Sequence, residues 1–314
     1  MEVEKNVKLA PFTTYRIGGP AKYFIVVKTE EDIREALSWA RSNNVPYFIL
    51  GGGSNLLVAD EGYNGLVISL QNNNFIFKDD RLIADAGTTI HDLVTNSVER
   101  EFSGLEWAGG LPGQLGGAIR GNANCFGGHM HDVIKKVRIM LPDGSIKIFS
   151  KRQCKFSQKN SIFKQKSEYI ILSAELKFKK GNKNKLQERV NYCVNWRAKN
   201  QPKKHGTCGS VFTRVLLKDL PKDFFDKHPD TKEAVKGIGK QKFQELGTGY
   251  LIDRGLGLKG MRIGGAMVSY KHANFVVNVK NAKAEHILIM NSLIKSRVMN
   301  KYGIILEEEV HYLS

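Results

Sequence analysis

The chain has 314 residues, 41% of them hydrophobic and 25% charged, which suits an ordinary globular protein of two or three folding units at roughly 100–200 residues per domain. It contains no apolar run near the roughly 20 residues of a membrane span, and its first ten residues, MEVEKNVKLA, lack the apolar centre of a secretion signal. A cytoplasmic protein with no membrane partner is therefore expected. Cys125, Cys154, Cys193 and Cys208 form no CxxC pair, so neither a disulfide framework nor a metal site is indicated. A net charge of +17 admits a nucleic-acid surface or a site for phosphorylated ligands. Much of the excess lies between Phe178 and Lys204, where few aromatic side chains are available to stack on bases. A solvated lysine-rich face or a funnel for anionic ligands accounts for it better than nucleic-acid binding does.

In chain order, strand-like runs at Tyr23–Val27 and Tyr47–Leu50 flank a helix starting near Glu30, with Thr29 placed to cap it and Asp32 three residues on. A strand at Gly65–Leu70 follows. FIFK and RLIADAG read as a hairpin about Lys78-Asp79-Asp80, and a helix is expected from Ile90 to Arg100. The run Val137–Phe149 reads as a second hairpin about Pro142-Asp143-Gly144, and YIILSAELKF as a further strand. Beyond Gln201, helices are expected near Lys232–Asp253 and Ala282–Tyr302 around the strand FVVNV. The fold class predicted is α+β.

Two stretches stand apart from this pattern. GGGSN, at Gly51 to Asn55, follows an apolar strand directly and offers unhindered amides to an anion such as a pyrophosphate. It is not the dinucleotide fingerprint, because Leu56, Leu57 and Val58 continue as a strand where a helix would have to open. By itself it is equally a tight turn. The second stretch, Ala108 to Gly128, holds eight glycines among 21 residues, a density that suits backbone packed against a planar or phosphorylated ligand, or else a strained crossover.

Four phrases then become specific: TTYRIGGPAKYF at Thr13–Phe24, LGGGSNLLVAD at Leu50–Asp60, GLPGQLGGAIRGNA at Gly110–Ala123 and RIGGAMVSYKHANFVVN at Arg262–Asn278. Together they resemble the UDP-N-acetylenolpyruvoylglucosamine reductase family, in its shorter subtype, over nearly the whole chain. The resemblance implies a two-part FAD-binding domain of the vanillyl-alcohol-oxidase type and a C-terminal substrate-binding α+β domain. The boundaries it suggests are 1–64 with 303–314 returning to it, 65–200, and 201–302. It further implies NADPH as reductant, a nucleotide-sugar substrate, and a monomeric working state. FAD contacts fall on Gly51, Gly52, Gly53, Ser54 and Asn55 in the first loop. In the second they fall on Gly110, Pro112, Gly113, Gly116, Gly117, Ala118 and Asn122.

The implied chemistry is reduction of an enolpyruvyl double bond, which needs an acid for one carbon and positive charge for the enolate-like carboxylate. Ser210 in TCGSVF matches the family's proton donor, and Glu309 in LEEEVHYL its assisting carboxylate. As bare sequence, a serine beside a glycine and one glutamate of an acidic run are ordinary turn and surface residues. Where the family carries Tyr-Arg, this chain has Gln158 and Lys159, keeping a cation for the enolate but losing the planar guanidinium fork. Substrate contacts are expected from Gln158, Arg214, Lys271 and Asn274, with Arg214 standing where the family has a smaller polar contact and Cys208 where it has alanine. These departures leave open a flavoprotein paralogue with altered or lost substrate, and composition leaves open a basic nucleic-acid-binding protein.

Overall fold

A computed structural model describes residues 2–236 and 245–314. They form two compact units. The first comprises residues up to Val7, Ala21–Gly52 and Asn64–Arg197; the second comprises Lys8–Pro20, Gly53–Tyr63 and the described parts of Ala198–Ser314.

In the first unit, a four-stranded sheet runs in the order Glu4–Lys8, Pro20–Val27, Tyr63–Leu70, Tyr47–Leu50, with the last two parallel. Its crossover helix, Glu30–Ser42, starts at the predicted place because Thr29 and Asp32 cap each other's backbone, and Ile33, Ala36, Leu37 and Ala40 turn inward at helical spacing. A five-stranded antiparallel sheet follows, in the order Ile146–Ser150, Ile134–Met140, Ile170–Lys177, Arg81–Asp85, Phe75–Lys78. Both expected hairpins are present in it, and their turns use residues of positive φ, Asp79 at 52° and Gly144 at 84°. One core joins the inner faces, including Leu66, Ile68, Leu82, Ile90, Val137 and Leu176.

The basic stretch holds a helix, Lys183–Asn200, that its lysine and asparagine content concealed. Its inward residues, Leu186, Cys193 and Arg197, with Val190 packed against the same core, recur every three or four positions. The stripe is narrow and ends in an arginine, so it carries little hydrophobic signal. Several of its cations are engaged rather than free: Lys183 pairs with Glu99 at 2.6 Å, and Arg189 donates to the Phe126 carbonyl at 2.7 Å.

The second unit is built from distant pieces. Leu56–Val58 pairs in parallel with His311–Leu313, and Arg262–Ile263, Ala266–Val268 and Val276–Asn278 form an antiparallel sheet. Helix Ala284–Tyr302 packs Ile287, Met290, Ile294 and Val298 into the core and ends on Gly303, whose φ is 67°. Tyr15 of the TTYRIGG phrase is fully buried, its carbonyl accepting from Asn278 Nδ2 at 3.2 Å.

The expected helix at Lys232–Asp253 is corrected. Its described parts are a 3-10 turn at Pro229–Ala234, paired strands Val235–Lys236 and Glu245–Leu246, and short turns at Thr248–Tyr250 and Leu251–Gly255; its middle lies outside the described residues. Among the described residues, Gly247 and Gly249 weigh against a continuous helix there, each costing about 1 kcal/mol in a helix interior.

Candidate active site

In the second unit, the segment after Ser210 is held from both sides. On one side Glu309 N donates to the Val211 carbonyl at 2.7 Å and Thr213 N to the Glu307 carbonyl at 2.9 Å, so Phe212 faces Glu308 in an antiparallel pairing. This register brings Ser210 and Glu309 into neighbouring rows although they are remote in sequence. On the other side Asn274 spans Phe212: its Oδ1 accepts from Phe212 N at 3.0 Å and its Nδ2 donates to the Phe212 carbonyl at 2.8 Å. Asn274, expected to touch substrate, is buried and holds the Phe212 backbone next to Ser210. Asn274→Ala is expected to lower unfolding free energy by about 1–3 kcal/mol through the unpaired groups left behind, measured by chemical denaturation.

The Ser210 hydroxyl makes no hydrogen bond among the described residues, and Gly209 beside it, at φ 92°, has nothing within 4 Å of where a Cβ would stand. Ser210 itself is half-buried. Glu309 is tied through its backbone, its carbonyl accepting from Asn55 Nδ2 at 2.9 Å while His311 N donates to the Asn55 carbonyl at 3.0 Å. Asn55, expected as a cofactor contact, therefore anchors the strand bearing the carboxylate. Glu308 alternates to the other side, where Lys295 Nζ lies 2.9 Å away, Asn291 Nδ2 donates at 3.2 Å, and the Tyr312 hydroxyl donates as well. This fastens the same strand to helix Ala284–Tyr302. The acidic run gave no sign that its middle and last glutamates would part in this way.

Cys208 is fully enclosed beside Tyr15, and burial pushes its thiol up to about 12, with the Glu309 charge adding to the rise. It stays protonated near neutral pH and is a packing residue rather than a nucleophile. Arg214 pairs with Glu245 at 3.4 Å at the surface, and Lys271 Nζ donates to the Ala198 carbonyl at 3.0 Å at the end of the basic helix. Both cations expected at the substrate have protein acceptors.

In the first unit, the glycine stretches meet backbone to backbone: a Cβ on Gly52 would stand 3.0 Å from Gly113 Cα, and one on Gly51 3.0 Å from Gln114 Oε1. Gly110 and Gly113 take φ of 71° and 104°, which side chains resist. Among the described residues the amides of Gly52, Gly110 and Gly113 have no acceptor, nor do those of Gly53 and Ser54 in the second unit. Free amides in such turns suit an anion. Gly117 is exposed, with nothing within 4 Å of a Cβ, as a ligand lying flat on the helix would require. Of the other expected contacts, Gly116 packs on Ala86, Ala118 is buried, and Asn122 is enclosed with Nδ2 donating to the Ser157 carbonyl at 2.8 Å. Pro112 is exposed. The loop from Ser157 closes over the same region, with Gln158 exposed and Lys159, at φ 52°, donating from Nζ to the Asn124 carbonyl at 3.3 Å. The residues present fit a dinucleotide such as FAD.

Comparison with known proteins agrees. A family model described as an FAD binding domain matches residues 21–150, and one described as the UDP-N-acetylenolpyruvoylglucosamine reductase C-terminal domain matches residues 201–313. The reductase of Clostridioides difficile (strain 630) is 36% identical over 314 residues, covering 99% of this chain and 93% of that one. The chain belongs to the UDP-N-acetylenolpyruvoylglucosamine reductase family. The Syntrophomonas wolfei reductase is 33% identical over 310 residues, covering 98% of this chain and 94% of that one. A crystal structure of the Thermus caldophilus reductase matches with a TM-score of 0.76 at 30% identity, covering 100% of both chains. The chain is accordingly an α+β flavoprotein, an FAD-dependent oxidoreductase of the NADPH-using reductase type that serves peptidoglycan precursor synthesis.

Among the described residues no helix is long and apolar enough to cross a membrane, and no cluster of histidine, cysteine and carboxylate side chains could hold a metal ion.

Proposed function

We propose that this chain reduces the enolpyruvyl group of UDP-N-acetylglucosamine enolpyruvate to give UDP-N-acetylmuramate, with Ser210 as proton donor, Glu309 as its carboxylate partner and Lys159 as the cation for the developing enolate. The single observation that supports these roles is the backbone pairing of Val211 with Glu309, which lays the segment that follows Ser210 along the strand that carries Glu309. The chemistry supplied by bound FAD is hydride transfer from NADPH to the alkene. The amides of Gly52, Gly110 and Gly113 would hold its pyrophosphate, and Gly117 would leave room for it. Ser210 then supplies a proton to the neighbouring carbon, and Glu309 favours that transfer by orienting the hydroxyl. Lys159 stabilises charge on the substrate carboxylate as a point cation.

We assign 1–64 with 303–314, 65–200 and 201–302 as the three functional parts, a reading supported by the pairing of Leu56–Val58 with His311–Leu313. A monomer working in the cytoplasm without nucleic acid is part of the same proposal, supported by the engagement of basic-helix cations with protein acceptors.

Stopped-flow mixing tests the function: protein reduced by NADPH should regain flavin absorbance, without oxygen, on meeting the enolpyruvyl nucleotide. Protein that stays reduced would favour the altered-substrate paralogue. Lys159→Met should cut turnover by about 10–100-fold, as expected for loss of a charged hydrogen-bond donor, with Lys159→Arg retaining most of it. Equal activity in all three proteins would remove Lys159 from the chemistry.

A further inference from the structure

Arg120 is the last residue of helix Leu115–Arg120, one turn beyond Gly117. Side chains on a helix lean back towards its N-terminus, so residues three apart share a face. Leu115, Ala118 and Ile119 are buried in the core, whereas the Gly117 face is open, with nothing within 4 Å of a Cβ. Arg120 thus stands one turn after the open Gly117 position, in the glycine stretch that fits the cofactor.

Its guanidinium has neither a hydrogen bond nor an ion pair among the described residues, yet it is partly withdrawn from water, and burial holds its pKa below the usual arginine range. The other cations nearby have acceptors: Arg197 Nε donates to the Gly109 carbonyl at 3.1 Å, Arg189 to the Phe126 carbonyl at 2.7 Å, and Lys159 to the Asn124 carbonyl at 3.3 Å. Those three also act together on the Cys125 thiol, each opposing the rise that burial causes. The surroundings of Cys125 are electropositive. The backbone of Arg120 is fixed, since Ser161 Oγ donates to its carbonyl at 2.7 Å, and this bond ties it to the loop bearing Gln158 and Lys159. A desolvated guanidinium without an acceptor is costly, and its five donors in a plane match a pair of oxyanion oxygens.

We propose that Arg120 is an oxyanion-binding residue of this site, giving a bound nucleotide ligand the planar fork that Lys159 cannot. The inference rests on the reductase reading above. Two groups have the required chemistry: the carboxylate of the enolpyruvyl nucleotide and the pyrophosphate of FAD.

The experiment compares the wild-type chain with Arg120→Met and Arg120→Lys. FAD affinity is read from flavin fluorescence on reconstituting apoprotein. Affinity for the enolpyruvyl nucleotide is read from perturbation of the flavin spectrum of the holoprotein, with UDP-N-acetylglucosamine as a probe lacking the carboxylate. The expected result is that Arg120→Met weakens the enolpyruvyl nucleotide by about 10–100-fold, as for loss of charged hydrogen bonds. Arg120→Lys should fall between, with FAD and UDP-N-acetylglucosamine affinities unchanged. A loss confined to FAD would support the proposal with pyrophosphate as the source. Melting should be unchanged or raised in Arg120→Met, because an unpaired charge has been removed. Wild-type affinities in both variants would overturn the proposal, as would a lowered melting point in Arg120→Met with affinities intact, which marks a structural arginine. A wild-type chain that bound neither flavin nor nucleotide would instead bring down the underlying reading.

Discussion

Replacing Ser210 with alanine is expected to slow reoxidation of the reduced flavin by the enolpyruvyl nucleotide by about 10²–10⁴-fold, the range for loss of a positioned general acid. Reduction by NADPH should continue at the wild-type rate. The split follows from position: the Ser210 hydroxyl has no hydrogen-bond partner among the described residues and follows Gly209, whose Cβ position is open, so it contributes little to stability. Rapid mixing of each half-reaction separates the two steps. If both slowed equally, Ser210 would be shaping the flavin site rather than supplying a proton. Ser210→Cys, which keeps a donor of similar size, should recover part of the lost rate, whereas a residue acting only through packing would show no such recovery.

Gly53→Ala should lower unfolding free energy by about 2–5 kcal/mol, the sum of a left-handed backbone cost and an overpacking cost. At φ 57° it sits where side chains are strained, and a Cβ there would overlap the Phe12 carbonyl, a backbone group with little freedom to retreat. Thr14 N also donates to the Gly53 carbonyl at 3.1 Å, fixing the loop against the TTYRIGG phrase. Denaturant unfolding with intrinsic fluorescence gives the number. Gly117→Ala is the contrasting case. Its Cβ meets nothing, so stability should hold or rise by about 0.5–1 kcal/mol, while flavin retained through purification falls. Equal stability losses in the two variants would contradict this division of the glycines into structural and ligand-facing ones.

Much of the first unit was legible in the sequence because local signals and burial agree there. The Thr29 and Asp32 cap and the two hairpin turns were each written in a few adjacent residues. The glycine stretches were legible as a ligand region, but not which glycines face the ligand. Gly116 and Gly117 are adjacent and chemically identical, and only the packing of Ala86 beside one of them tells them apart. Asn274 and Asn55 are expected as ligand contacts because they lie in characteristic phrases; their hydrogen bonds to the Phe212 backbone and the Glu309 carbonyl depend on segments remote in sequence and could not be read from those phrases. The basic helix was hidden because one of its inward positions is Arg197, whose carbonyl partner on Gly109 cannot be inferred from spacing. Near Lys232 the signal pointed the wrong way, since a few helix-forming residues outweighed the glycines that follow them.

The pairing of Leu56–Val58 with His311–Leu313 also bears on how the chain is made. During synthesis the apolar LLV strand leaves the ribosome early, and its partner emerges only after more than two hundred further residues. Until then an exposed strand edge waits, the situation in which non-local topologies fold slowly and associate wrongly. The first unit has all its residues by Arg197 and can close beforehand, leaving the nascent chain with one finished unit and one that waits for its last strand.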